Sequence, residues 1–135
     1  MQRFTAGSFL LAIALFIACC GVCEAAEDMR FVDAEDDTGY YVDAASIARV
    51  SDTEFDAVVA VIKAAENRLY LYHTRFNHQA GTYRIFDARA EVYDTKEILR
   101  TMQGMDAPQV YTPASPMRGI VDFIEELLAE KQQTA

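Results

Sequence analysis

The chain has 135 residues and a formal net charge of −9, with 21 acidic side chains against 12 Lys and Arg. This length suits one hydrophobic core and is too short for two domains. Such an acidic chain repels phosphate backbones and anionic lipid head groups, which excludes nucleic acid as an expected partner.

Residues 1–25 have the layout of an export signal. Arg3 is followed by a run of about twenty uncharged residues, and the acidic stretch Glu24–Asp28 ends that run. Cleavage after Ala25 would follow small residues, as signal peptidase requires, and would leave 26–135 as a single domain. The expected location is therefore the periplasm, the cell surface or the medium.

Two alternatives stay open for this segment. Leu15–Cys19 fits a lipobox, in which case the signal ends at Ala18 and Cys19 carries a lipid anchor, the one expected contact with a membrane. The apolar run is also long enough to remain as an uncleaved membrane anchor. Because all three cysteines lie at or before Cys23, a domain cut after Ala25 has no disulfide and no zinc–cysteine site.

Short runs of β-branched and aromatic residues between turn-forming residues predict a series of strands. The predicted strands are 30–32, 40–43, 47–50, 54–65, 68–78, 82–94 and 97–102, with a brief helical turn at 44–46 and a loop at 103–108. Strand 82–94 alternates most regularly, which is typical of one buried face and one wet face. The buried set is Phe86, Ala88, Ala90 and Val92, and the wet set is Asp87, Arg89 and Glu91.

The apolar spacing changes to a helical period near the end of the chain. Apolar residues from Met117 to Leu128 form one stripe, with Ser115 as N-cap and Pro116 in the first turn. Strands followed by one helix, with connections too short for parallel crossovers, predict an α+β fold. We expect an antiparallel meander of about five or six strands, with the C-terminal helix packed on one face.

No metal site, cofactor or catalytic set is predicted. His73 and His78 are five residues apart on a strand and should face opposite sides, so they cannot share a metal ion. Asp33, Glu35 and Asp37 are spaced like the start of an EF-hand loop, but the glycine and the final glutamate of that loop are missing. Without a nucleotide-binding glycine pattern or a serine nucleophile motif, the chain is not expected to be an enzyme.

The tyrosines are the most suggestive side chains for binding. Tyr70, Tyr72 and Phe76 share one face of the predicted strand 68–78, because side chains alternate along a strand. Tyrosine combines a large apolar surface with a polar tip and is frequent at interfaces. These three residues are therefore a candidate binding face, and core packing is the other interpretation.

Five short segments resemble surface-adhesin protein E-like domains: Tyr40–Asp43, Ser46–Ile47, Tyr83–Ile85, Val92–Asp94 and Tyr111–Ser115. Together they span most of 30–128. The resemblance implies a small exported bacterial protein or lipoprotein with an antiparallel sheet and a C-terminal helix. The named member of that family is an adhesin for host extracellular-matrix and plasma proteins. Members often carry a cysteine pair in the domain, which is missing here, and no family binding residue can be carried over.

The expected function is a non-catalytic module of the cell envelope that binds an unknown protein partner. The alternative is a small-ligand carrier or an enzyme with a pocket between sheet and helix. A large cavity near His73 and Arg75, or under Tyr70 and Tyr72, would favour the alternative, and a filled core would favour the protein-binding module. A homodimer through an exposed strand edge is a further possibility.

Overall fold

A computed structural model describes residues 27–134. The predicted export signal and Cys19 lie outside the described residues. The strands are β1 (Met29–Glu35), β2 (Thr38–Asp43), β3 (Ala48–Arg49), β4 (Glu54–Lys63), β5 (Arg68–Asn77), β6 (Thr82–Val92), β7 (Ile98–Gln103) and β8 (Gln109–Val110). The helix α1 spans Pro116–Gln133, and short 3-10 turns lie at Ala44–Ser46 and Ala64–Glu66.

The six longer strands form an antiparallel meander in the order β1-β2-β4-β5-β6-β7. The short strand β3 pairs with β4, and β8 pairs with the start of β6. This arrangement confirms the α+β prediction and its C-terminal helix. The sequence pattern did not predict β8, because two residues are too few to show an alternating pattern.

The helix begins as the sequence predicts and covers one face of the sheet. Ser115 Oγ accepts a hydrogen bond from the Met117 backbone N–H at 3.2 Å, and Pro116 occupies the first turn. The apolar stripe of α1 packs into the main core, which joins helix and sheet. The buried members of that core are Val42, Phe55, Ala57, Val59, Phe76, Tyr111, Ile120, Val121 and Ile124.

Cross-strand register defines two faces. Val42, Val59, Tyr72 and Ala88 are aligned on the face that α1 covers, which we call the helix face. Tyr41, Ala60, Leu71 and Arg89 are aligned on the other side, which we call the open face. A smaller apolar cluster lies there, centred on Ala60, Leu69 and Leu71. No described residue belongs to a helix long and apolar enough to cross a membrane.

A bulge in β6 corrects the predicted alternation. His73 pairs with Asp87 but Thr74 pairs with Ile85, so Phe86 is an extra residue. The Phe86 ring lies on the open face, where its centroid is 5.8 Å from that of the His73 ring. Phe86 was predicted on the same face as Ala88, and this prediction was wrong because a bulge breaks the period of two.

The wet face of β6 was also predicted incorrectly at one residue. Ala88 and Ala90 are buried on the helix face, as expected. Glu91, however, is one of three buried polar or charged residues in the described part of the chain. It pairs with Leu69 on one side and Ile98 on the other, so apolar neighbours enclose it on the open face.

Both edges of the sheet carry features that discourage further strand pairing. In β1 the extra residue is Val32, and in β7 it is Leu99. Bulges of this kind twist an edge away from a flat pairing geometry, and charged residues such as Arg30 and Arg100 add to the effect. These features weigh against a homodimer built through either edge.

Candidate functional site

The predicted binding face divides into a core residue and two accessible tyrosines. Phe76 is 0% exposed and packs against Phe55 with 5.7 Å between ring centroids, so it belongs to the core and is not part of an accessible face. Tyr70 and Tyr72 are partly exposed on the helix face. Their rings are nearly parallel, with centroids 6.5 Å apart and an interplanar angle of 18°.

The cross-strand neighbours leave room for both tyrosine rings on the helix face. Tyr72 is directly opposite Ala88 on β6, and Tyr70 is opposite Ala90. A methyl side chain leaves room for a large ring across the strand pair. Burial raises the pKa of Tyr72 above its ordinary value, and the neighbouring Tyr70 adds to the shift. Tyr72 thus has a hydroxyl group in a partly desolvated position.

A cleft of about 360 Å³ lies between the start of α1 and the sheet, beside Tyr72. We call it the helix cleft. Its volume is within the range of small-molecule sites, roughly 300–1,000 Å³. The sheet contributes Val59, Val61 and Ile85, the helix contributes Pro116, Met117 and Ile120, and Tyr40 and Tyr72 complete the lining.

The chemistry of the helix cleft is apolar, with two hydroxyl groups. No charged side chain lines it within the described part of the chain. The phenol groups of Tyr40 and Tyr72 can each donate and accept a hydrogen bond. Since an unpaired charge is costly to bury, the cleft suits an uncharged apolar molecule with a hydrogen-bonding group.

The two histidines lie on opposite sides of the sheet, as predicted. His73 is on the open face, with its Nδ1 3.5 Å from the Asp87 carboxylate. His78 follows β5 and stacks on Phe55 with centroids 6.0 Å apart, and its Nδ1 is 3.3 Å from Glu125 of α1. His78 therefore links the end of the sheet to the helix.

Residues 27–134 contain no group of three or more side chains placed to hold a metal ion. The acidic residues of the EF-hand-like segment lie along β1 and its turn into β2, and the Asp33 carboxylate accepts a 2.8 Å hydrogen bond from the backbone N–H of Ala34. A calcium loop would instead direct several oxygens to one point.

Arg75 forms an ion pair with Asp56 near the histidines. Its guanidinium makes two bonds to the Asp56 carboxylate, at 2.8 and 3.0 Å, and lies 5.1 Å from the Phe86 ring centroid. The hydrogen bonding of the Arg75 guanidinium to the Asp56 carboxylate is the main cause that raises the pKa of Arg75. The cavities beside His73 and Arg75 are about 180 and 190 Å³, smaller than the helix cleft.

The segments that resemble the adhesin-like domains have structural roles here. Asp43 is buried, and its carboxylate accepts hydrogen bonds from the backbone N–H groups of Asp28 and Ala45. Ser115 caps α1. Asp43 and Ser115 therefore hold a turn and a helix end in place, and neither role requires a ligand.

The sequence predicted Tyr72 but not the rest of the helix cleft. Val59, Val61 and Met117 belong to apolar patterns that also describe a filled core.

Comparisons of the chain with protein-family models, with curated proteins and with solved structures found no match.

Proposed function

We propose that the chain is an exported, non-catalytic binding domain of the bacterial cell envelope that holds a small apolar molecule in the helix cleft. The observation that supports this function is the cavity of about 360 Å³ between α1 and the sheet. It lies beside Tyr72. A small-ligand carrier requires such a pocket, whereas a protein-binding module does not. The size and apolar lining favour the carrier over the protein-binding alternative.

The proposed ligand is uncharged and mostly apolar, with one group that can form a hydrogen bond. Val59, Val61 and Ile120 would contact its apolar part, and burial of that surface provides the main driving force. The hydroxyl groups of Tyr40 and Tyr72 would orient its polar group.

A neutral fluorescent probe tests this proposal directly. N-phenyl-1-naphthylamine brightens in apolar sites, and the chain has no tryptophan to interfere. A Val61→Phe substitution adds bulk inside the helix cleft and should weaken probe binding about tenfold or more, since one lost contact of 1.4 kcal/mol has that effect. A Val50→Phe control changes a residue outside the cleft lining, on the exposed surface, and should leave binding unchanged.

Equal probe affinity in the wild type and the Val61→Phe variant would contradict the proposal. Circular dichroism on both variants separates a filled cleft from a damaged fold. An enlarged probe signal in both variants would indicate exposed core rather than a ligand site.

Protein binding is the second candidate, and exposed aromatic surface favours it. Phe31 is 57% exposed and meets Tyr41 edge to face at 5.5 Å on the open face, while Tyr70 is partly exposed on the helix face. Aromatic side chains of this kind are frequent at interfaces. This candidate agrees with the resemblance to surface-adhesin protein E-like domains.

A pull-down from envelope extract tests the protein-binding candidate. A Tyr70→Ser variant should lose a partner that binds the tyrosines, and a Phe31→Ser variant should lose one that binds the open face. Capture that neither variant reduces, or no partner at all, counts against this candidate. The Val61→Phe variant should keep a protein partner, which separates the two functions.

Export and anchoring have their own test. The mass of the mature N-terminus, measured on protein from its native cell, should show a start at Ala26 for a secreted domain or a lipid-modified Cys19 for an anchored one. A mass that includes Met1 would contradict both and support an uncleaved anchor.

A further inference from the structure

The open face contains a second depression, separate from the helix cleft. Its volume is about 330 Å³, and we call it the open-face depression. Its floor is formed by the buried residues Ala60, Leu69 and Leu71. Ala60 and Leu71 are sequence neighbours of Val59 and Tyr72, so the two cavities lie on opposite sides of the same strands.

A buried carboxylate lies in the wall of this depression. The Glu91 side chain is only 6% exposed, although a lone buried carboxylate is strongly disfavoured. Its Oε2 accepts a 2.5 Å hydrogen bond from Nε of Arg89, which is two residues earlier on the same face of β6. Arg89 is its one hydrogen-bond donor among the described residues.

Glu91 therefore retains unused acceptor capacity. An ionised carboxylate can accept about four hydrogen bonds through its two oxygens. Buried ion pairs offset their desolvation cost only when further hydrogen bonds satisfy the remaining lone pairs. A donor that enters the depression would supply such a bond in a partly desolvated setting, where charge-assisted hydrogen bonds are strong.

We propose that the open-face depression binds a small amphiphilic amine, with its ammonium group on the Glu91 carboxylate and its apolar part on Leu69 and Leu71. Glu27 also lines the depression and adds a second negative charge. The net charge of −9 attracts cations to the protein as a whole.

The two cations around the depression are less suited to bind an anion. Arg89 is already paired with Glu91, and its side chain is 45% exposed, so water can hydrate its remaining N–H groups. The Lys96 ammonium lies 4.4 Å from the Tyr93 ring centroid, in a cation–π contact. Glu91 is paired with Arg89 alone, so its carboxylate keeps acceptor positions for a further donor, and this sets the charge of the ligand.

Three probes with the same alkyl chain test the sign of the charge: hexylamine, hexanoate and hexanol. Two-dimensional NMR of the methyl groups reports both the affinity and the site. Hexylamine should bind at least about tenfold more tightly than hexanol, since hydrogen bonds to charged groups contribute roughly 1.5–3 kcal/mol. The methyl groups of Ile62, Leu69, Leu71 and Ile98 should shift, and those of Val59 and Val61 should not.

Variants then identify the carboxylate that binds the amine. Glu91→Gln keeps the shape and an acceptor for Arg89, and should reduce hexylamine binding at least about tenfold without changing hexanol binding. Glu66→Gln removes a charge from an exposed turn and should change neither. Val61→Phe fills the helix cleft, so it should leave hexylamine binding intact whether or not the cleft function is correct.

Several results would overturn the proposal. They are hexanoate binding as tightly as hexylamine, equal affinity in Glu91→Gln and wild type, or methyl shifts confined to the helix cleft. If Glu91→Gln does not fold, the methyl shifts of the wild-type protein and the order of the three probes still decide the result.

Discussion

The hydroxyl group of Ser46 accepts a 2.8 Å hydrogen bond from the backbone N–H of Val58, twelve residues later in the chain. The same hydroxyl donates to the Asp43 carbonyl at 2.6 Å. Pairing of β2 with β4 ends at Val59, and pairing of β3 with β4 begins at Asp56. Ser46 therefore satisfies a backbone group of β4 in the gap between two partner strands.

Loss of the Ser46 hydroxyl should destabilise the domain. A Ser46→Ala variant leaves the partly buried Val58 N–H unpaired, which costs about 1–3 kcal/mol in the free energy of unfolding. Urea denaturation of both proteins measures the difference. Ser51→Ala is the matched control, because Ser51 accepts its backbone hydrogen bonds in an exposed turn. Equal losses in the two variants would contradict this role for Ser46.

Two glycines should respond to alanine with opposite signs. A Cβ at Gly104 would overlap the backbone carbonyl oxygens of Ile85 and Phe86, beside the β6 bulge. Since the backbone cannot move aside cheaply, Gly104→Ala should lower the free energy of unfolding by at least about 1–3 kcal/mol.

Gly119 lies inside α1, and its nearest neighbour to an added Cβ is Val32, at 3.9 Å. Gly119→Ala should stabilise the protein by about 0.5–1 kcal/mol, because alanine is the better helix former. The urea denaturation midpoints of Gly104→Ala and Gly119→Ala, each compared with the wild type, measure the two effects. A stabilising Gly104→Ala or a strongly destabilising Gly119→Ala would show that the contacts around these residues are different.

Truncation to alanine should distinguish the core residue of the predicted binding face, Phe76, from its accessible residue, Tyr70. Phe76→Ala removes a fully buried ring and should cost about 3–5 kcal/mol. Tyr70→Ala removes a partly exposed ring and should cost less than half as much, because less surface is buried. Thermal unfolding compares them. Similar losses would place Tyr70 in the core and remove it from any accessible face.

Stability should fall at high pH because of two tyrosines. Burial is the largest cause that raises the pKa of both Tyr72 and Tyr111 above the ordinary 10.0. A raised folded-state pKa means that the folded protein binds the proton more tightly than the unfolded chain. The stabilising contribution of each protonated tyrosine is complete below pH 10.0 and is lost as pH rises through the folded-state pKa.

Denaturation midpoints across this alkaline range measure the loss. Tyr72→Phe and Tyr111→Phe should each make the fall in stability less steep, since neither variant can ionise at that position. A slope unchanged in both variants would show that other groups cause the alkaline loss.

Local patterns in the sequence determined most of the secondary structure. The period of two in 82–94 predicts β6, and the stripe after Ser115 predicts α1, because each pattern places apolar side chains on one side of a regular element. Short turns between strands then favour neighbours that pair in sequence order, which predicts the meander. The N-cap at Ser115 depends on adjacent residues alone and was predicted for the same reason.

Only the tertiary structure determined the two cavities and the positions of Phe86 and Glu91. The bulge at Phe86 depends on the register between β5 and β6, and the burial of Glu91 depends on Leu69 and Ile98 in other strands. The helix cleft depends on where α1 crosses the sheet. These features arise from contacts between residues distant in the chain, whereas periodicity and capping reflect near neighbours.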